Sequence, residues 1–305
     1  MEIRKVLDNV YMVNLEPPIQ GFEKFIASYI VMGEKTAVID TGPTCSIQNL
    51  LNALDRLKIP RENVSYVMLT HIHIDHAGGA GSLLKKLPNA KLVVHSKGAF
   101  HMSNPKKLWE STKLVLGRLA EEYGEVEPTQ PEKILVGTDE LNLYLGGGIK
   151  IKVFDTPGHA PHHLSFYEEK NGILFVGEVG GVYLEELGLL RPSTPPPGFN
   201  LNENLRSIDR LVALNPKILC YSHFGFTKKI QNLLLYKEKL NLWLRIVKKH
   251  KQKTEEEIFK KILEEDKDLN LLKKLETSSF ERERFFIINN VKGLIQYIEK
   301  FEKQT

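Results

Sequence analysis

The stretch LTHIHIDHAGG (69–79) places His71, His73, Asp75 and His76 within six positions. It follows an apolar run, VSYVMLT, that reads as a buried strand, and it precedes two glycines that let the chain turn tightly. A strand end of this kind projects several side chains into one small volume. Imidazole nitrogen and carboxylate oxygen are ligands that zinc, iron and manganese accept. A structural zinc site would close with thiolates, but Cys45 and Cys220 are distant from this segment and form no CxxC pair. Histidine and carboxylate ligands leave room for water, so the segment points to a catalytic metal.

The same local pattern recurs along the chain. FDTPGHAPHH places His159 after a strand and a Pro-Gly turn, and CYSHFG places His223 at a strand end. GILFVGEVGG places Glu178 between a strand and two glycines. One such residue alone is an ordinary hydrogen-bonding group at a turn. The recurrence is what suggests that several strand ends meet at one site.

Organisation agrees with a layered architecture. Strands are expected over NVYMVNL, FIASYIVMG, TAVIDTG, VSYVMLT, KLVVH, KILV, LNLYL, IKIKVFDT, HHLSFYE, GILFVG and KILCYSH. Helices are expected over SIQNLLNALDRLKI with Ser46 as N-cap, over GSLLKKL, over 105–124 and over ENLRSIDRLVAL. PSTPPPGF (192–199) must be a loop. From 226 onward Lys, Glu and Leu dominate with helical periodicity. The expectation is an α/β domain over 1–226, sheet packed on sheet with helices outside, and a helical C-terminal extension over 227–305.

The ordered set DTG (40–42), HIHIDH (71–76), TPGHAPHH (156–163), FVGEVGG (175–181) and YSHFG (221–225) resembles the metallo-β-lactamase superfamily, over roughly residues 6–226. The resemblance implies a four-layer αββα sandwich with metals at one edge. It implies one metal on His71, His73 and His159, a second on Asp75, His76 and His223, Glu178 bridging, and Asp40 steadying the ligand loop. The family usually has Asp where this chain has Glu178. The extra methylene is expected to leave the second metal more weakly held.

The spacing THxHxDHxGG followed by TPGHxxxH is similar to that of glyoxalase II-like thioesterases. The implied activity is hydrolysis of an activated carbonyl (thioester, lactone or other ester) by a metal-bound hydroxide, with one or two Zn²⁺, or Fe or Mn, as cofactor. Asp75 would orient the nucleophile and pass a proton. Tyr183 could donate to the carbonyl oxygen, against the alternative of a packed aromatic. His162 and His163 are expected in structural or hydrogen-bonding roles. His95, His101 and His250 match no motif. The proline-rich segment 183–199 with Phe199, and the insert 105–124 with Trp109, are expected to wall the pocket, and Cys45 could lie near it.

An iron-dependent persulfide dioxygenase is the alternative on the same fold. A flavodiiron oxidoreductase, a nuclease or phosphodiesterase and a non-catalytic binding protein are weaker ones. The net charge of +4 is small for 305 residues, and its cations are interspersed with acids, so no nucleic-acid partner is expected. No signal peptide and no uncharged apolar run of membrane-spanning length is read. The expectation is a cytoplasmic enzyme acting on a small molecule, with the C-terminal helices as a plausible homodimer contact.

Overall fold

The computed structural model describes residues 1–302. A seven-stranded sheet runs in chain order through β1 (Ile3–Leu7), β2 (Val10–Asn14), β3 (Ala27–Met32), β4 (Thr36–Ile39), β5 (Val64–Met68), β6 (Lys91–His95) and β7 (Ile134–Gly137). The first four strands are antiparallel, and β4 to β7 are parallel. Parallel neighbours need crossovers, which helices provide. These are α1 (Ile47–Arg56) after β4, then α2 (Ile74–Ala77) and α3 (Ala80–Leu84) after β5. After β6 come α4 (Ser96–Ser103), α5 (Lys106–Leu116) and α6 (Arg118–Tyr123). The single helix expected over 105–124 is divided at Gly117, whose φ of 57° no helix interior adopts.

The second sheet begins with β8 (Asn142–Gly146), β9 (Ile149–Asp155), β10 (Leu164–Glu168) and β11 (Ile173–Phe175). The chain then leaves it for a hairpin, β12 (Val182–Leu184) and β13 (Leu189–Arg191), and for α7 (Leu201–Ala213). It returns as β14 (Ile218–Tyr221), parallel to β11, and β15 (Gly225–Thr227). The sheet order is β15-β14-β11-β10-β9-β8. β1 and the β12–β13 hairpin were not anticipated, because 3–7 is only half-buried and 182–191 is interrupted by a turn rich in Glu and Gly.

Side chains alternate across each strand, and this alternation creates the layers. Tyr29, Val31, Ile39 and Met68 of the first sheet meet Val153, Phe166, Phe175 and Cys220 of the second in one core. Their neighbours Ile30, Val38, Val67, Leu174 and Leu219 face outward, onto a second core shared with the helices. That outer core also contains Trp243 and Leu240 of α8 (Asn232–His250), Ile258 of α9 (Glu255–Glu265), and Ile287 and Val291 of α10 (Thr277–Glu302). The C-terminal helices are therefore packed into the body. α9 starts with a capping box, Thr254 with Glu257. Among the described residues no helix is long and apolar enough to cross a membrane.

At one edge the two sheets are stitched together. Leu164 N donates to Thr70 O at 2.6 Å, and Ala27 N donates to Ser222 O at 2.9 Å. Strands β4, β5, β9, β11 and β14 all end at this edge, and the residues that follow them form the site.

Candidate metal centre

Asp40 ties the loops at this edge together. Its backbone is left-handed, with φ of 56°. Its carboxylate accepts from Thr70 N at 2.8 Å, Thr70 Oγ1 at 2.8 Å and Ser222 Oγ at 2.7 Å. One buried carboxylate thus fixes the loops after β4, β5 and β14. Thr41 N and Gly42 N donate to His76 O at 2.8 and 3.1 Å, which seats the short helix α2 that carries Asp75 and His76.

Two groups of ligand-competent atoms result: His71, His73, His159 and Glu178, and then Asp75, His76 and His223. Within each group the atoms lie within 4.8 Å of one another. Glu178 joins the groups. Its Oε2 is 3.3 Å from His71 Nε2, 3.2 Å from His76 Nε2 and 3.3 Å from His159 Nε2, and its Oε1 is 3.4 Å from His223 Nε2. Asp75 Oδ2 stands 3.4 Å from His76 Nε2 and 3.6 Å from His223 Nε2. His73 turns its Nδ1 inward, 3.2 Å from His159 Nε2.

The outer ring nitrogens explain why the inner ones are available. His159 Nδ1 faces Ser193 O and His223 Nδ1 faces Phe25 O, each at 3.2 Å. A carbonyl can only accept, so these Nδ1 atoms carry the proton and Nε2 presents its lone pair inward. His71 Nδ1 lies 3.0 Å from Thr70 Oγ1, whose own proton goes to Asp40. It is therefore also the donor. His71 Nε2 and His76 Nε2 are fully buried yet form no hydrogen bond. Buried, unpartnered nitrogens aimed at a shared centre with two carboxylates fit a metal cluster and are costly without one.

The electrostatics agree. Burial pushes the His71 and His159 imidazoles down, and His73 down to about 4, so all three are neutral and able to ligate at neutral pH. Burial alone would raise Asp75, but its neighbours, His76 foremost, outweigh it and hold the carboxyl at about 2. Glu178 is likewise held well below its usual range, with His159 and His223 overcoming burial. His76 goes the other way. Burial would lower it, but Asp75, Asp40 and Glu178 raise it well above the ordinary value.

His163 does not face this cluster's centre. Its Nδ1 pairs with Thr156 Oγ1 at 2.9 Å, and its Nε2 accepts from Glu178 N at 3.1 Å and Val179 N at 3.3 Å. It holds the turn that delivers Glu178. A Cβ on Gly177 (φ 64°) would meet that Nε2 at 2.4 Å, so the residue before Glu178 must be glycine. His162 accepts from Ile72 N at a long 3.4 Å, and burial pushes its imidazole down to about 2.

A cavity of about 480 Å³ opens over the cluster. His101 and Pro195 to Pro197 line it, whereas Cys45, Trp109, Phe199 and Tyr183 do not. Leu108 lines the cavity in place of Trp109, which sits on the other face of α5 beside Lys113. Phe199 packs on Tyr297. Tyr183 packs on Tyr221, with ring centroids 5.2 Å apart, so the packed-aromatic alternative describes its placement and no carbonyl-directed role is supported. His95 caps α4 by accepting from Lys97 N, and His250 lies 3.9 Å from Glu265 at the surface end of α8.

Three residues escaped sequence reading. Ser193 Oγ donates to Glu178 Oε1 at 2.6 Å while its carbonyl holds His159. Asn290 Oδ1 accepts from Thr194 N at 2.8 Å, and its Nδ2 donates to Pro192 O at 3.0 Å, which pins the Ser193 loop to α10. Its neighbour Asn289 lines the cavity. Nothing local in RPSTPPP or IINNV marks these side chains as part of a site.

The sequence pattern of the metallo-beta-lactamase superfamily matches residues 23–223. The metallo-beta-lactamase fold-containing protein ST1585 of Sulfurisphaera tokodaii is 34% identical over 211 residues, covering 67% of this chain and 74% of that protein. Superposed on the solved structure of ST1585, the chain gives a TM-score of 0.69 over 95% of its length and 99% of that chain, at 24% identity. The metallo-beta-lactamase family protein TTHA1429 of Thermus thermophilus gives 0.71 over 98% and 95%, at 22% identity. Hydroxyacylglutathione hydrolase 1 of Vibrio vulnificus is 26% identical over 193 residues, covering 63% of this chain and 59% of that enzyme. A pattern spanning about two thirds of the chain, on a fold that brings its motif residues to one edge, is decisive: this chain belongs to the metallo-beta-lactamase superfamily.

Proposed function

We propose that this protein is a metal-dependent hydrolase of activated carbonyl compounds (thioesters, lactones or other esters). The observation that supports it most is the convergence of seven histidine and carboxylate side chains in which buried His71 Nε2 and His76 Nε2 form no hydrogen bond. In this reading His71, His73 and His159 hold one divalent ion, Asp75, His76 and His223 hold another, and Glu178 lies between them. Zinc suits this set of nitrogen and oxygen donors. When bound, the metal supplies Lewis acidity and lowers the pKa of water towards neutrality. The chain's own residues do the rest. Asp75 is ionised at neutral pH and lies at the cavity, so it can accept the proton of an attacking water and pass it to the leaving group. Ser193 fixes the rotamer of Glu178, and Asp40 holds the loops in register. Similarity to a hydroxyacylglutathione hydrolase favours thioesters within this class. The test is a substrate panel of thioester, lactone, phosphodiester and persulfide on protein of measured metal content. Metal-dependent hydrolysis of a thioester or lactone is expected. Oxygen uptake on the persulfide, or cleavage of the phosphodiester alone, would overturn the reading.

A further inference from the structure

Asn289 presents an unusual amide. It is only 6% exposed, lines the cavity above the metal-ligand cluster, and forms no hydrogen bond with any described residue. Its neighbour Asn290 spends both of its amide atoms on the loop beneath. The donor and acceptor of Asn289 are left free by the protein and are open to a ligand in the cavity.

The surroundings narrow the ligand. One face of α5, with Leu108, Thr112, Val115 and Leu116 at helical spacing, roofs the cavity. Phe286 and Val182 add apolar wall from other elements. Among the described residues the only acidic side chains lining the cavity are Asp75 and Glu178, and both belong to the cluster. Lys97 and Lys107 are exposed, so they stand where the cavity meets solvent. The space therefore has an apolar roof, a cationic mouth and a neutral amide one helical turn along α10 from Phe286, whose ring lies 6.5 Å from that of His223. No residue of α5 is fully buried, and Leu108, Trp109 and Leu116 pack only partly against the outer core.

We infer that the cavity binds the aliphatic acyl chain of the substrate beneath α5, and that Asn289 is a positioning residue that hydrogen-bonds the neutral group at the carbonyl end. The charged or polar thiol or alcohol portion then points to Lys97 and Lys107. This deepens the hydrolase reading and rests on it for the identity of the carbonyl compound.

The test is calorimetric binding to the full-length, metal-loaded protein. The probes are ketone analogues of acyl thioesters with methylene in place of sulfur, carrying acetyl, butanoyl, hexanoyl and octanoyl chains. No turnover is involved, so binding without hydrolysis of any ester would defeat the hydrolase reading and leave this one standing. Affinity is expected to rise about three- to fourfold per added methylene, the increment for burying that group. Val115→Trp should remove the gain for octanoyl and leave acetyl binding unchanged. Asn289→Leu should weaken all four ketones by a similar factor, about tenfold, with metal content and melting temperature unchanged. Asn289→Gln, which restores an amide, should recover part of that loss. Affinity independent of acyl length, dependence on the length of the other arm, or an Asn289→Leu protein that binds all four probes normally would overturn the inference.

Discussion

At the scale of single residues, the site is a set of charges arranged so that most of the candidate ligands are ready and one is not. His71, His73 and His159 are neutral because burial opposes their protonation. His76 is pushed down by burial, but Asp75, Asp40 and Glu178 outweigh it and raise its pKa well above the ordinary value. In the metal-free protein these carboxylates favour the protonated imidazole, so metal has to displace a proton from it. Calorimetric titration with zinc in buffers of different ionisation enthalpy should report release of about one proton, falling as pH rises through the raised value. Zinc uptake with no proton release at pH 7 would contradict this. Asp75→Ala should keep the fold and the metal bound by His71, His73 and His159, and lower thioester or lactone hydrolysis by about 10²–10⁴-fold. Near-normal turnover at full metal content would remove Asp75 from the mechanism. Glu178 is central to both groups, but its extra methylene must be fixed to reach them, at a side-chain entropy cost on the order of 1–2 kcal/mol. Stepwise chelation followed by elemental analysis should therefore remove one ion before the other, and Glu178→Ala should lose metal. Two ions of equal affinity would argue against the unequal sites.

At the scale of elements, α10 matters most to the site although it lies far from the metal motifs in sequence. Its residues Arg282, Phe286, Asn290 and Gly293 recur at helical spacing on one face. Arg282 stacks on Phe25 at 4.0 Å, and Phe25 stacks on His223 at 4.3 Å, so the helix supports a ligand through one intervening ring. Gly293 lets the helix backbone approach the Ser193 loop. A Cβ there would lie 1.9 Å from Thr194 O and 2.8 Å from Pro195 C. Gly293→Ala should push α10 off the loop, destabilise the protein by about 1–3 kcal/mol in denaturant titration, and lower hydrolytic activity by loosening Ser193. An alanine variant as stable and active as the unaltered protein would show that this contact does not constrain the loop.

At the scale of the whole molecule, the C-terminal helices and the sandwich share one outer core, and buried charges help join them. Arg191 at the end of β13 meets Glu283 of α10 at 2.5 Å, and Arg282 completes the triad at 3.0 Å. Within the helical region, Lys239 Nζ is 2.7 Å from Asp266 Oδ1, and Trp243 Nε1 donates to Asp266 Oδ2 at 2.9 Å. Asp266→Ala would leave a buried ammonium and a buried indole N–H without that partner. A loss of about 3–5 kcal/mol is expected, measured by chemical denaturation. A loss under about 1 kcal/mol would mean that Lys239 is served well enough by Asp268, at 2.8 Å.

The sequence alone determined the layers and the contents of the cluster. Period-two alternation in FIASYIVMG and IKIKVFDT and helical spacing in α1 and α7 are local signals, because each residue's neighbours along the chain decide which way it faces. The cluster residues His71, His73, Asp75, His76, His159, Glu178 and His223 were legible because each follows a strand and precedes turn residues. The tertiary structure alone decided what surrounds them. Ser193 and Asn290 act through partners 15 to 98 positions away, and no local pattern encodes such pairings. Tyr183 could reach the pocket because it follows Glu178 by five positions, and Trp109 because it lies in the helical insert 105–124. A hairpin turned one towards Tyr221, and the rotation of α5 turned the other outward, leaving Leu108 on the cavity face. Which face of an exposed helix looks at a site depends on the body it packs against, and that is settled only when the whole chain has folded.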